Sequence, residues 1–161
     1  MTSITFLASS RPFILPKEIE EYNAQTKFEV EKDYMTFSLE EVNPFWRKQI
    51  FDLFSMPYLY EVEGAGNRLF LLYLEKYMEE GDVFELYHLP NQHTFKKYIE
   101  EAKENSNFIE VNSGSFIYRD ASGSYQFNSK TWIEELSHRK YITHRCITRF
   151  VKYRKGQTNF K

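Results

Sequence analysis

Apolar and polar residues alternate through Tyr58–Val62, stop alternating at Gly64-Ala65-Gly66, and resume with a different period from Phe70. Side chains repeat every two residues on a strand and about every 3.6 on a helix, so a change of period marks a change of element. Tyr58, Tyr60 and Val62 predict one face of a half-buried strand. Asn67 is placed to cap a following helix, because its side-chain oxygen can accept from an early backbone N–H. Phe70, Tyr73, Leu74, Tyr77 and Met78 then recur at helical spacing and predict a helix over 68–79. Leu69, Leu71 and Leu72 fall outside that stripe, which predicts a helix covered nearly all round at its start. Gly81 tolerates the left-handed backbone on which helices often end. Val83–Leu89 alternates again, with Phe84 and Leu86 on one side and Glu85 and Tyr87 on the other. The rival to the helix is a hairpin pairing 69–78 with 83–89.

The same reading extends along the chain. Ile4–Ala8 predicts a first strand, and residues 17–25 a short acidic helix with Ile19 and Tyr22 on one face. Residues 27–30 and 34–39 alternate and predict a hairpin through Glu31-Lys32-Asp33. Asn43-Pro44 opens a helix with a buried stripe of Trp46, Ile50, Leu53 and Phe54, ended by Pro57. Phe95, Tyr98, Ile99 and Ala102 give the clearest amphipathic helix. Three short strands follow at 108–111, 115–119 and 125–127. Thr131 and Glu134 have capping-box spacing before a short helix around Trp132, Ile133 and Leu136. The β-branched stretch Tyr141–Tyr153 predicts one long final strand, although Ile142, Cys146 and Phe150 also satisfy helical spacing. Residues 156–161 read as a frayed tail. The expected fold is α+β, one domain over 1–161, with a mixed, mostly antiparallel sheet and about four to five short helices packed on it. The middle strand–helix–strand stretch suggests a small parallel unit.

Composition changes this picture in two places. Phe, Tyr and Trp number 15, 12 and 2, an aromatic surplus that suits both a core and a binding surface. Charge is polarised: residues 138–161 hold eight Lys and Arg and no acid, whereas the rest holds 13 basic and 23 acidic side chains. The lone Cys146 excludes an intramolecular disulfide and a cysteine-based zinc site. The first residues have neither a basic start nor a long apolar run, so a cytoplasmic location and no membrane association are expected.

Candidate chemistry is sparse. Gly64, Gly66 and Asn67 between strand and helix form a candidate anion site, since backbone N–H groups at a helix start attract negative charge. Leu69 stands where a dinucleotide fingerprint has its third glycine, and Glu85 lies mid-strand rather than where a ribose would meet it. His88 and His93 flank Pro90 and could converge at one end of the sheet. Cys146 is expected inside beside Phe150, and the paired glutamates are expected on solvated faces. The richest candidate surface is Arg139, Lys140, Tyr141, Arg145, Arg149, Lys152, Tyr153 and Arg154, cations interleaved with aromatics. The alternative is that these cations pair with the acidic remainder of their own fold, or keep a strand edge soluble.

No motif specifies a reaction. The expectation is a non-enzymatic protein-binding module of the inhibitor, immunity or regulatory kind, acting through a charged, aromatic-rich surface. The alternatives are a nucleic-acid-binding protein using 139–155, and a small hydrolase or nuclease near His88 and His93. Neither a cofactor nor a metal is expected.

Overall fold

The computed structural model describes residues 3–13, 17, 21, 38–64, 68–105 and 107–153, and every structural statement concerns these. In chain order they form β1 (Ile4–Ser9), β2 (Ser38–Glu41), α1 (Pro44–Ile50), β3 (Tyr58–Glu63), α2 (Arg68–Tyr77), β4 (Val83–Leu89), α3 (Phe95–Glu104), β5 (Ile109–Asn112), β6 (Ile117–Asp120), β7 (Gly123–Gln126), α4 (Trp132–Ser137) and β8 (Thr148–Val151). Of the expected helix at 17–25 only Lys17 and Glu21 are described, both helical; residues 27–37 of the expected hairpin at 27–39, and the tail, lie outside the described residues.

All eight strands join one sheet in the order β2-β3-β1-β4-β8-β5-β6-β7. Neighbours run antiparallel except β5 and β8, which are parallel. The fold is therefore α+β with a mixed sheet. The strand–helix–strand unit at 58–89 is present, and α2 rather than a hairpin connects its strands. It is not a closed parallel pair: β1 lies between β3 and β4 and pairs antiparallel with both.

Local sequence explains the elements. At α1 the Asn43 side chain accepts from the Phe45 N–H at 2.7 Å and Pro44 occupies the first turn, where no N–H is needed. That helix stops at Ile50, well before Pro57. At α4 the Thr131 side chain makes no capping hydrogen bond to the helix backbone. Its hydroxyl donates to Glu135 at 2.8 Å, and the Asn128 N–H donates to the same carboxylate oxygen at 3.1 Å. The expected long strand at 141–153 shrinks to β8. Residues 141–147 instead turn, with Tyr141 N–H donating to Arg139 O and Arg145 N–H to the Thr143 hydroxyl, and meet the strands only singly, where the Thr143 carbonyl accepts from His88 N–H and the Ile147 carbonyl from Ile109 N–H.

The two faces of the sheet are covered differently. On the first, α2 and α4 bury Phe70, Leu71, Leu74, Trp132 and Leu136 against Leu7, Phe84, Leu86, Val111 and Phe150. Trp132 Nε1 donates to Glu75 at 3.0 Å and ties α4 to α2. On the second, α1 and α3 bury Trp46, Ile50, Ile99 and Ala102 against Phe6, Ala8, Tyr87 and Leu89. Each large side chain buried here contributes about 1.5–3 kcal/mol of hydrophobic stabilisation. The strand residues of this second core reach no further than β4. Beyond β4 the same face of the sheet carries a row of charges, beginning with Arg149 on β8.

Candidate interaction surface

The basic stretch is not one surface. Arg149 on β8 sits opposite Glu85 on β4, with its Nε and Nη2 donating to one carboxylate oxygen at 3.1 and 2.9 Å. Glu85 is only 1 % exposed, and its oxygens also accept the Ser55 N–H at 2.9 Å and the Ser55 hydroxyl at 2.6 Å. A buried carboxylate needs such partners, because an unpaired one costs several kcal/mol, of order 3–5. The Arg149 guanidinium also lies over the Phe108 ring at 4.6 Å. Register then places Glu110 beside Arg149 and Arg119 beside Glu110, where Arg119 donates to Glu110. Glu85, Arg149, Glu110 and Arg119 thus alternate in sign across four adjacent strands, a favourable cross-strand arrangement.

The other candidates of this stretch scatter. Lys152 donates to the Met78 carbonyl at 2.7 Å, beyond the end of α2. Tyr141 is buried, and burial pushes its phenol pKa far up. Tyr153 is clasped by its backbone: its N–H donates to the Asn112 side chain at 3.0 Å and its carbonyl accepts from the Ser115 hydroxyl at 2.6 Å. Gly114 makes that approach possible, since a Cβ there would stand 2.6 Å from the Tyr153 oxygen. Arg139 lies among Tyr118, Tyr125 and Phe127 on the opposite face of the sheet from Arg149. Lys140 and Arg145 remain exposed, and Arg154 lies outside the described residues.

The remaining sequence candidates do not assemble a reactive centre among the described residues. His88 Nδ1 meets the Thr5 hydroxyl at 3.0 Å. Burial, and then the nearby His144, push the His88 pKa down, and the His144 ring stands edge-on to Tyr98 at 5.2 Å. His93 is exposed in the turn before α3, its N–H bound to the Asn91 side chain. No group of His, Cys, Asp and Glu among the described residues is arranged to hold a metal. Cys146 is buried, and burial raises its thiol pKa, away from nucleophilic use. Gly64 has the positive φ of 85° that a tight turn needs, while Gly66 and Asn67 lie outside the described residues.

A different patch stands out on α1 and the turn after it. Phe51 is 63 % exposed and Phe45 50 %, although both belong to an aromatic-rich segment. Phe45 rests edge-on against Trp46 and Phe95, at 4.9 and 5.7 Å, so its position is fixed while its outer edge stays open. Arg47 and Lys48 beside them make no ion pair among the described residues. With Phe51, Met56, Pro57 and Leu59 they line a shallow groove of about 430 Å³. The buried stripe of this helix is plain in the sequence, but the patch is signalled on its other side. There apolar Phe45 and Phe51 occupy positions that solvation alone would fill with polar residues.

No protein-family model, curated protein or solved structure matches this chain. Among the described residues no helix is long and apolar enough to cross a membrane.

Proposed function

We propose that this protein is a non-enzymatic protein-binding module and that the α1 groove is its contact surface. One observation carries the reading: the exposed Phe51 lines a groove with Arg47 and Lys48, two cations without an ion pair among the described residues, while the half-open Phe45 is pinned on the same helix against Trp46 and Phe95. Aromatic and arginine side chains are the residues that concentrate binding energy at interfaces. The patch suits an apolar segment of a partner that carries carboxylates for Arg47 and Lys48. Less supports the nucleic-acid alternative, because Arg149 and Lys152 already serve the fold and Tyr141 is buried. Those contacts favour the simpler account of the basic stretch, pairing within its own acidic body.

The test is affinity capture from the native host with the wild type, Phe51→Asp, and an Arg47→Glu/Lys48→Glu double variant. A partner held by the wild type and released by both variants, with unchanged thermal melts, supports the proposal. The same partners captured by all three proteins would overturn the α1 assignment. Salt-sensitive binding of fluorescent DNA or RNA, lost in Arg145→Glu, would restore the nucleic-acid reading.

A further inference from the structure

Tyr118 on β6 and Tyr125 on β7 are direct cross-strand neighbours, and Phe127 follows immediately after β7. The Phe127 ring centre is 6.1 Å from that of Tyr118 and 5.4 Å from that of Tyr125. Within this cage lies the guanidinium of Arg139, its central carbon 4.6, 4.7 and 5.8 Å from the Tyr118, Tyr125 and Phe127 ring centres. Ring faces carry the negative side of the aromatic quadrupole, so three of them attract a cation held at this distance.

The walls are fixed mainly by bonds to other residues, with Arg139 reaching only the Tyr118 hydroxyl among them. The Tyr118 hydroxyl donates to Asp120 at 3.0 Å and the Tyr125 hydroxyl to Glu135 at 3.0 Å. The Phe127 N–H donates to the Phe116 carbonyl at 2.7 Å. Glu135 is itself anchored by Thr131 and Asn128. The occupant is held by ring faces, the Tyr118 hydroxyl and a longer-range attraction to Glu135. Arg139 makes no ion pair with either carboxylate, both of which are turned to the phenols. It belongs to the irregular segment after α4, so its side chain can leave by rotating while the strands stay in place. The exit is open: Tyr125 is 45 % exposed, β7 is exposed along its whole length, and no strand pairs beyond it among the described residues.

Three ring faces with two carboxylates behind them suit a soft, weakly hydrated cation better than a compact, strongly hydrated one. We propose that this cage is a binding site for a guanidinium or methylated-ammonium group carried by a partner protein, and that Arg139 is an internal occupant which that group displaces. The site is separate from the α1 groove, and either assignment can fail without the other.

Ring resonances of the tyrosines report the test by NMR. Choline and methylguanidinium serve as cation probes, and dimethylbutanol, the neutral isostere of choline, as control. Arg139→Ala is expected to bind both cations saturably and to ignore the isostere. The wild type should bind the same cations about tenfold more weakly, since its own arginine competes. Adding Tyr125→Ala should abolish binding in the Arg139→Ala background. Arg139→Gln replaces Arg139→Ala if the latter fails to fold. A wild type that stays silent at concentrations a hundredfold above those that saturate Arg139→Ala would reduce the cage to a structural clasp and overturn the proposal. Equal binding of choline and its isostere, or binding that survives Tyr125→Ala, would overturn it too. A trimethyllysine peptide should bind more tightly than free trimethyllysine. Equal affinities would overturn the partner assignment in favour of a small quaternary amine.

Discussion

Arg149 and Arg139 come from the same basic stretch and end on opposite faces of one sheet, in surroundings that have little in common. Arg149 neutralises a carboxylate that is 1 % exposed and shares it with Ser55. Arg139 touches three rings and no acid within ion-pair distance. A run of cations therefore has no single meaning. What each one contributes depends on what it faces: a buried charge that cannot do without it, or ring faces that can exchange it.

Arg149 is where the contrast is most exposed to experiment. Arg149→Ala is expected to lower unfolding stability by about 3 kcal/mol, because it leaves Glu85 buried without its counter-charge. The urea midpoint should fall with little change in slope. A Glu85→Leu/Arg149→Met double variant should recover most of the loss. Gly114→Ala comes next, at about 2 kcal/mol, since its Cβ must push the Tyr153 backbone away from the turn between β5 and β6. It should loosen the end of β8 and leave the tyrosine resonances of the cage unmoved. Arg139→Ala should cost about 1 kcal/mol or less, the scale of a partly exposed cation–π contact. A loss equal to that of Arg149→Ala would erase the distinction between the two arginines.

Protonation offers a subtler probe. Burial and His144 hold the folded pKa of His88 below its ordinary value, so the unfolded chain takes up a proton first. The stability due to His88 is complete above about pH 6.5 and declines as the pH falls from there through the lower folded pKa. His88→Gln should flatten that part of the profile, measured by urea midpoints at successive pH values. The smallest stability effect belongs to Phe51→Ser, within about 0.5 kcal/mol, because most of its ring is already in water. That insensitivity makes it a clean probe of binding.

Much of the architecture is legible in the sequence where one periodicity dominates. Phe95, Tyr98, Ile99 and Ala102 define α3 because only a helix puts them on one face. The 141–153 stretch misleads because β-branched composition favours a strand without supplying a neighbour. Only Thr148–Val151 form a continuous ladder with β4 and β5, and the Thr148 hydroxyl donates to the Tyr141 carbonyl across the intervening turn. In the sequence Glu85 looks like a ribose contact in the wrong place. Its parity with Tyr87 nevertheless puts it on a side of β4 that also carries Leu89, where a carboxylate requires a cation. Sequence alone does not name that cation, since pairing Glu85 with Arg149 depends on β8 entering between β4 and β5. The cage is equally hidden: Tyr118 and Tyr125 meet only through strand register, and Arg139 reaches them from beyond α4.

The place of β8 also dictates an order of events during synthesis. A ribosome releases β4 and β5 long before residues 148–151, yet those two strands have no contact in the sheet except through β8. Until then the nascent chain can hold at most two separate half-sheets, each with a raw edge, and Glu85 waits without its cation. Pairings that join such distant parts of a chain form slowly. The halves must therefore remain in register and unaggregated until β8 emerges, and β8, the last strand among the described residues, acts as the keystone that locks them together.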